Sequence, residues 1–437
     1  MKRFVIVLIL LLCASAVYAG GALTLDCCRD MALEHSRTLR QEYNKEKNAV
    51  YDLQIARLQR LPMFDGSLMG VYMKDQELME GTTIQMRGMY TAGINVTLPV
   101  YAGGRISAGI KLAGIAKDAA ALQIRKAKDA VVAEVDNCYY TLLAVREKVK
   151  MLEAYSRQME GLYDMVELSV RAELSTENDL LRIDARRTEI EYQKQKVRNG
   201  ENLCRMALCK AVGLPPDTDI ELADTLLVVA PPQDLSEDFS QRPELGLLSQ
   251  QVAASEAQVK MARSAYLPTI ALAGGYSYYG NIKMKGSTML PDGTPYQYTN
   301  KFRDGIPLVA LSVNIPIWHW GSEIKKVKKS KLDLENSRLA LEENTELMSM
   351  EVCQAVQNLT DGYAMIRTAE LGLRQAEDSR RIMRCKFDVG FATLTDMLDA
   401  EAQWSQARAN LIEAQAQQLI NNTQYLRGTG RLRYSAR

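Results

Sequence analysis

Histidine is nearly absent: His35 and His319 are the only two in 437 residues. Neither stands beside a nucleophile or a ligand cluster, so the chain is not expected to be an enzyme. Net charge is nearly absent too, since 54 Lys and Arg offset 53 Asp and Glu. The basic residues are spread along helical patterns rather than gathered in a block, so nucleic acid is not an expected partner. Of the 8 cysteines, no two form a CxxC pair and none joins histidine at zinc spacing. The seven beyond Cys13 are an odd number, which argues against a disulfide framework. No metal and no other cofactor is implied. The 20 methionines are scattered, as core filler is, rather than grouped as soft-metal ligands.

Beyond the first 19 residues no apolar run approaches the roughly 20 residues that a membrane-spanning helix needs. If the chain enters a membrane, it must do so as strands. Proline is missing from two very long stretches, about 102–171 and about 321–389, where helical composition runs on unbroken. At 1.5 Å per residue each would reach roughly 100 Å, too long for a compact domain.

What is present begins with MKRFVIVLILLLCASAVYA. Lys2 and Arg3 precede an apolar run, and Val17 and Ala19 are small residues where a signal peptidase reads. Residues 1–19 are therefore read as an export signal, with a mature chain from Gly20. Hydrophobic residues make up 47% and charged residues 24%, the composition of a folded protein.

A repeat organises the rest. INVTLPVYAGGR (Ile94 to Arg105) resembles LSVNIPIWHWGS (Leu311 to Ser322), pairing Pro99 with Pro316 and Gly104 with Gly321. The same offset pairs Thr176 with Thr393, Asp179 with Asp396, Leu181 with Leu398 and Gly213 with Gly430. Upstream a smaller constant offset matches Leu39 with Leu245 and Leu61-Pro62 with Leu267-Pro268. Each half reads as helix, strand, loop, strand, very long helix, short turn, helix. The first repeat spans 20–213, with one helix from about Asp26 to Arg60, strands at about 63–73 and 89–100, and a hairpin tip at about 172–181. The second spans 242–430, with strands at about 268–279 and 306–318, a longer connection from Gly280 to Asp304, and a tip at about 389–398. Between them 214–241 reads as a connecting segment carrying a short strand-like LLVV, and 431–437 is a tail.

The strand patterns alternate: Tyr90, Ala92, Ile94, Val96 and Leu98 are interleaved with small or polar residues, and so are Val309, Leu311, Val313 and Ile315. That suits either a half-buried strand or a membrane strand with lipid on one face and water on the other. In the first long helix Val135, Cys138, Leu142, Val145, Val149 and Leu152 fall at coiled-coil spacing, a seam that needs neighbouring helices. Four strands per chain are too few to close a membrane barrel, and an open edge in lipid leaves backbone groups unpaired. Strands in a membrane would therefore have to be shared among several chains.

With the duplicated order, the Leu-Pro and Pro-to-Gly junctions at strand ends and the tip sequence VGFATLTDMLDA, the chain resembles the TolC family of outer-membrane factors from about Leu25 to Gly430. The resemblance implies an α+β membrane protein: a homotrimer whose twelve-stranded outer-membrane β-barrel continues into a twelve-helix coiled-coil periplasmic α-barrel. It implies a passive exit duct of a tripartite efflux or type I secretion system, set in outer-membrane lipid and docking a periplasmic adaptor and an inner-membrane transporter. Substrate and transporter class are not implied.

Thr176-x-x-Asp179 and Thr393-x-x-Asp396 each match a capping box at the start of a helix, and Gly390 suits the end of the incoming one. The resemblance makes Thr176, Asp179, Gly390 and Thr393 the hairpin tips that meet the adaptor. Glu173 stands where the first tip should have its glycine, so that turn is expected either to differ in shape or to end its helix elsewhere. Asp399 is not needed by the cap, and the first half has Arg182 in its place. The resemblance puts Asp396 and Asp399 at the periplasmic aperture, about one turn apart on one helix face. Ala392 stands where an arginine of the closed-state lock would be expected. The competing reading is a soluble periplasmic coiled-coil adaptor or scaffold, which would more usually carry one hairpin within a set of β domains.

Overall fold

The computed structural model describes residues 22–79, 82–231, 235–292, 294–432 and 434. The export-signal reading of residues 1–19 and Cys13 falls outside them, as does most of the tail. Among the described residues thirteen elements follow in order: α1 (Leu25–His35), α2 (Arg37–Leu58), β1 (Met63–Tyr72), β2 (Gln76–Met79), β3 (Thr82–Gln85), β4 (Arg87–Ala102), α3 (Arg105–Arg171), α4 (Glu177–Val212), α5 (Pro243–Ser264), β5 (Thr269–Met289), β6 (Pro295–Asn314), α6 (Ser322–Asp388) and α7 (Leu394–Gly428). The two long helices α3 and α6 are both 67 residues. Their lack of proline leaves no interior break in the hydrogen-bond ladder.

The chain separates into two compact units, one of residues 1–44, 122–246 and 342–437, the other of residues 45–121 and 247–341. In the second unit β1, β4, β5 and β6 pair antiparallel in that order, and the short β2–β3 hairpin extends the sheet along the far half of β5. The outer edges of β1 and β6 have no partner among the described residues. One face carries Phe64, Leu68, Ile94, Leu272, Val309 and Leu311, all well exposed. The register places them together: Phe64 faces Val96, Leu68 faces Ala92, and Leu272 lies between Leu98 and Leu311. The other face carries Ser67, Thr91, Asn95, Thr97, Ser277 and Asn314.

Besides the β2–β3 hairpin, which occupies the loop read between the first repeat's two strands, three features depart from the sequence reading. The helix expected from Asp26 to Arg60 is interrupted at Ser36, whose backbone is extended (φ −60°, ψ 117°). The Ser36 hydroxyl accepts from Leu39 N at 3.2 Å and starts a second helix, as serine does at helix N-termini. The strands expected at 268–279 and 306–318 are far longer on their loop side: β5 continues to Met289 and β6 starts at Pro295. The connection read from Gly280 to Asp304 is thus mostly a ladder, closed by an Asx turn in which Asp292 Oδ1 accepts from Thr294 N at 3.1 Å. Its polar alternation resembles a loop because neither face of the extension is a buried core. At the other end β6 stops at Asn314 rather than reaching 318, because Pro316 has no N–H for a ladder. Third, LLVV forms no strand. Leu227 and Val229 turn toward the helices while Leu226 and Val228 are exposed, but no strand edge lies alongside among the described residues. A single bridge nearby joins Leu222 to Leu23 among the described residues.

In the helical unit the main core joins Cys28 and Ala32 of α1, Val135, Tyr139 and Leu142 of α3, Leu208 and Cys209 of α4, and Ile412 and Ala416 of α7. Set into it is a buried polar junction. Arg29 Nε and Nη2 bond the fully buried carboxylate of Asp136 at 2.7 and 2.6 Å, and the Thr423 hydroxyl donates to it at 2.8 Å. A buried carboxylate with this set of donors is matched in charge and satisfied in hydrogen bonding. The seven cysteines among the described residues are all free.

Candidate functional site

The two hairpin tips lie together in the helical unit. At the first, α3 ends at Arg171, and Glu173 takes φ 61°. Glu173 N donates to Val170 O at 3.0 Å and Leu174 N to Ser169 O at 2.8 Å. At the second, Gly390 takes φ 77°, Gly390 N donates to Phe387 O at 3.0 Å and Phe391 N to Lys386 O at 2.8 Å. This is the same closing pattern, in which amides beyond the helix end reach back to its last free carbonyls. Both alternatives expected for the first tip are therefore corrected: its helix ends at Arg171, the counterpart of Asp388 at the end of α6, and its turn has the same shape, with glutamate in the left-handed region that glycine occupies in the second tip.

Each outgoing helix begins with a complete capping box. Thr176 Oγ1 accepts from Asp179 N at 3.2 Å, and Asp179 Oδ2 accepts from Thr176 N at 3.2 Å and from the Thr176 hydroxyl at 2.7 Å. Thr393 and Asp396 repeat this at 3.2, 3.0 and 2.7 Å. Hydrogen bonds from the threonines hold both aspartates below the ordinary carboxylate value, since donors favour the charged form. Asp399 is exposed, and its side chain makes no hydrogen bond or ion pair with any described residue. Its repeat counterpart Arg182 instead donates to the Thr395 hydroxyl and ties one tip to the other. Asp396 and Asp399 thus both reach solvent from the first turns of α7.

Under the tips a core joins Tyr155, Met159, Leu162 and Val166 of α3 and Ile183 and Ile190 of α4 to Leu394 and Met397 of α7. One residue in it was missed at the sequence level. Glu401 is fully buried; its Oε1 accepts from Gln158 Nε2 at 2.8 Å, and its Oε2 lies 3.7 Å from Arg380 Nη1 without a hydrogen bond. The Arg380 guanidinium stacks 4.0 Å over the Trp404 ring. Burial pushes the Glu401 carboxyl up, against the pull of Arg380 and Arg384. A cleft of about 250 Å³ opens beside it, lined among others by Gln158, Leu162, Arg384, Phe387 and Met397. The signal was available: Leu394, Met397, Glu401 and Trp404 follow heptad spacing, which makes Glu401 an acid on the core-facing seam.

Among the described residues the arrangement offers no nucleophile–base pair. Its chemistry is electrostatic: exposed carboxylates on a rigidly started helix, above a joint between two hairpins that contains one buried acid.

A family model described as outer membrane efflux protein matches residues 28–205 and 235–430. The probable efflux pump outer membrane protein TtgC of Pseudomonas putida is 22% identical over 317 residues, 70% of this chain and 61% of that protein; the match thus spans under two thirds of that relative's length. The outer membrane protein TolC of Vibrio cholerae is 21% identical over 359 residues, 79% of this chain and 77% of that one. The crystal structure of the outer membrane protein VceC from Vibrio cholerae superposes with a TM-score of 0.78 at 17% identity, covering 93% of this chain and 96% of that one. At that identity the likeness shows a shared fold.

Proposed function

Because the chain belongs to the outer membrane efflux protein family, the TolC family of outer-membrane factors, we propose that it is an outer-membrane exit duct. It would pass substrates outward in a tripartite efflux or type I secretion system, drawing energy from an inner-membrane transporter through a periplasmic adaptor. The observation that carries this reading is the sheet: four long strands, an exposed apolar face and unpaired outer edges at β1 and β6. In lipid each unpaired backbone group costs several kcal/mol. Three copies joined edge to edge, β1 of one against β6 of the next, give a twelve-stranded barrel that pairs these two edges. The helices of the same three copies would form the periplasmic α-barrel. No described helix is long and apolar enough to cross a membrane.

The proposal carries the repeat boundaries with it: repeats at 20–213 and 242–430 flank the equatorial segment 214–241. Thr176, Asp179, Gly390 and Thr393 shape the tips that meet the adaptor. Asp396 and Asp399 form the periplasmic aperture, where three copies set six carboxylates around one axis and favour cations. Single-channel recording tests this. Replacing both aspartates with alanine should lower cation selectivity and relieve block by multivalent cations, and unchanged values for both would remove them from the aperture. Fractionation tests the duct itself: a heat-sensitive oligomer extracted only by detergent is expected, whereas a soluble monomer would favour the adaptor or scaffold reading.

A further inference from the structure

The apolar face of the sheet changes character along its length in an order that can be followed strand by strand. Side chains two apart on a strand share a face. On β6 that face runs Leu311, Val309, Pro307, Gly305, Arg303, Lys301, Thr299, Gln297. On β5 the partners of these residues are Leu272, Gly274, Tyr276 and Tyr278, then, past an extra residue near Asn281, Lys283, Lys285 and Ser287. The bulge lies in β5 alone, so β6 keeps its alternation throughout. Aliphatic residues come first. A belt of Tyr276, Tyr278 and Tyr90 follows, with Tyr90 and Tyr278 rings 6.2 Å apart. Above the belt stand four cations, Arg303, Lys301, Lys283 and Lys285.

These cations are unusual in their placement. Lys283 is the direct cross-strand partner of Lys301, and like charges facing each other across a ladder are unfavourable unless something offsets them. None of the four makes an ion pair with a described residue. The acids on this face, Asp75 and Glu77, sit at the far edge beside and within β2, separated from β5 by β3. Asp75 there takes the Gln85 amide at 2.8 Å. The opposite face of the same extension is aromatic and apolar, with Tyr296, Tyr298 and Phe302 beside Ile282 and Met284.

We propose that Lys283, Lys285, Lys301 and Arg303 bind the phosphates of a glycolipid in the outer leaflet, with its acyl chains against the aliphatic band and its sugar-phosphate head at the cations. This rests on the outer-membrane reading above. It is supported by charge complementarity and by the unbroken face: hydrocarbon, interfacial tyrosines and then cations is the order of a lipid monolayer read outward. Thr83 and Gln85 of β3, opposite Lys285 and Lys283, add hydrogen-bonding groups at the same level.

The test uses the full chain reconstituted in phosphatidylcholine vesicles containing either bis-phosphorylated lipid A or lipid A stripped of its phosphates, followed by detergent extraction and native mass spectrometry of the oligomer. The phosphorylated form should be retained and the stripped form lost. Each single change, Lys283→Gln or Lys301→Gln, should weaken retention about fivefold, and Lys→Arg at either position should restore it. Equal retention of both lipids, or full retention by K283Q/K301Q, would overturn the proposal. So would displacement of the lipid by millimolar inorganic phosphate, which would make the face a generic anion site. Conductance in phosphatidylcholine alone is measured in parallel. Normal conductance with no lipid preference sinks this inference only, and absent conductance sinks the exit-duct reading with it.

Discussion

Glu173 and Gly390 stand at one place in the two repeats and adopt one backbone conformation, φ 61° and 77°. The two hydrogen bonds that close each tip, from the amides of 173 and 174 and of 390 and 391, are matched residue for residue. A β-carbon in the left-handed region clashes with the following carbonyl at a cost of about 1–2 kcal/mol. The first tip therefore carries strain that the second does not.

Glu173→Gly should stabilise the first tip by about 0.5–1 kcal/mol, the relief of strain less the entropy glycine adds to the unfolded chain. Gly390→Ala should destabilise the second by about 1 kcal/mol. Hydrogen exchange of the amides at 174 and 391 checks both, with slower exchange expected in the first variant and faster in the second.

The capping boxes make the tips sensitive to acid. Asp179 and Asp396 have lowered folded values, so their contribution is present above the ordinary aspartate value of 3.8 and lost as pH falls through the folded ones. Tip amides should therefore lose protection below about pH 4, before the helix interiors do. Thr393→Ala removes one cap at neutral pH and should cost about 1 kcal/mol.

Glu401 has the opposite sign. Burial raises its value, so its contribution is complete below the ordinary glutamate value of 4.5 and is lost as pH rises through the folded one. Glu401→Gln keeps the size and an acceptor for Gln158 while removing the buried charge. It should leave neutral stability within about 1 kcal/mol of the parent and flatten this part of the pH dependence. Glu401→Ala, which opens a cavity, should cost about 2 kcal/mol or more. Thermal midpoints from pH 4 to 8 separate the two.

Asp129 is a second raised acid, pushed up to about 6 by burial against the pull of Arg125 and Arg427. Its contribution is lost between pH 3.8 and about 6. Asp129→Asn should therefore add stability at pH 8, by at most roughly 3 kcal/mol, and little at pH 4. Denaturant midpoints at the two pH values give the comparison.

Some of the fold was legible because its causes are local. The capping boxes at Thr176 and Thr393, the unbroken helices α3 and α6, and the turn at Gly390 depend on residues within about a turn of one another. The offset that pairs Thr176 with Thr393 also pairs the two 67-residue helices. What was misread lacked a local cause of that kind. Ser36 stops a helix in mid-pattern through a single hydroxyl. The β5–β6 extension hid behind polar residues, and LLVV alternated like a strand without an edge to pair with.

The sequence by itself determined the caps and turns of the two hairpin tips, the unbroken run of α3 and α6 and the alternation along β4 and the inner half of β6, because those properties belong to neighbours in the chain. Only the tertiary structure decided which polar groups are buried and by what. Asp136 meets Arg29 and Thr423 from residues 107 and 287 positions away, and Glu401 meets Gln158 from 243 away. Glu173 likewise keeps a backbone angle that its own side chain disfavours, held by a tip packed against the second hairpin. Burial and strain depend on elements that meet only after folding, so the pattern of a single segment does not contain them.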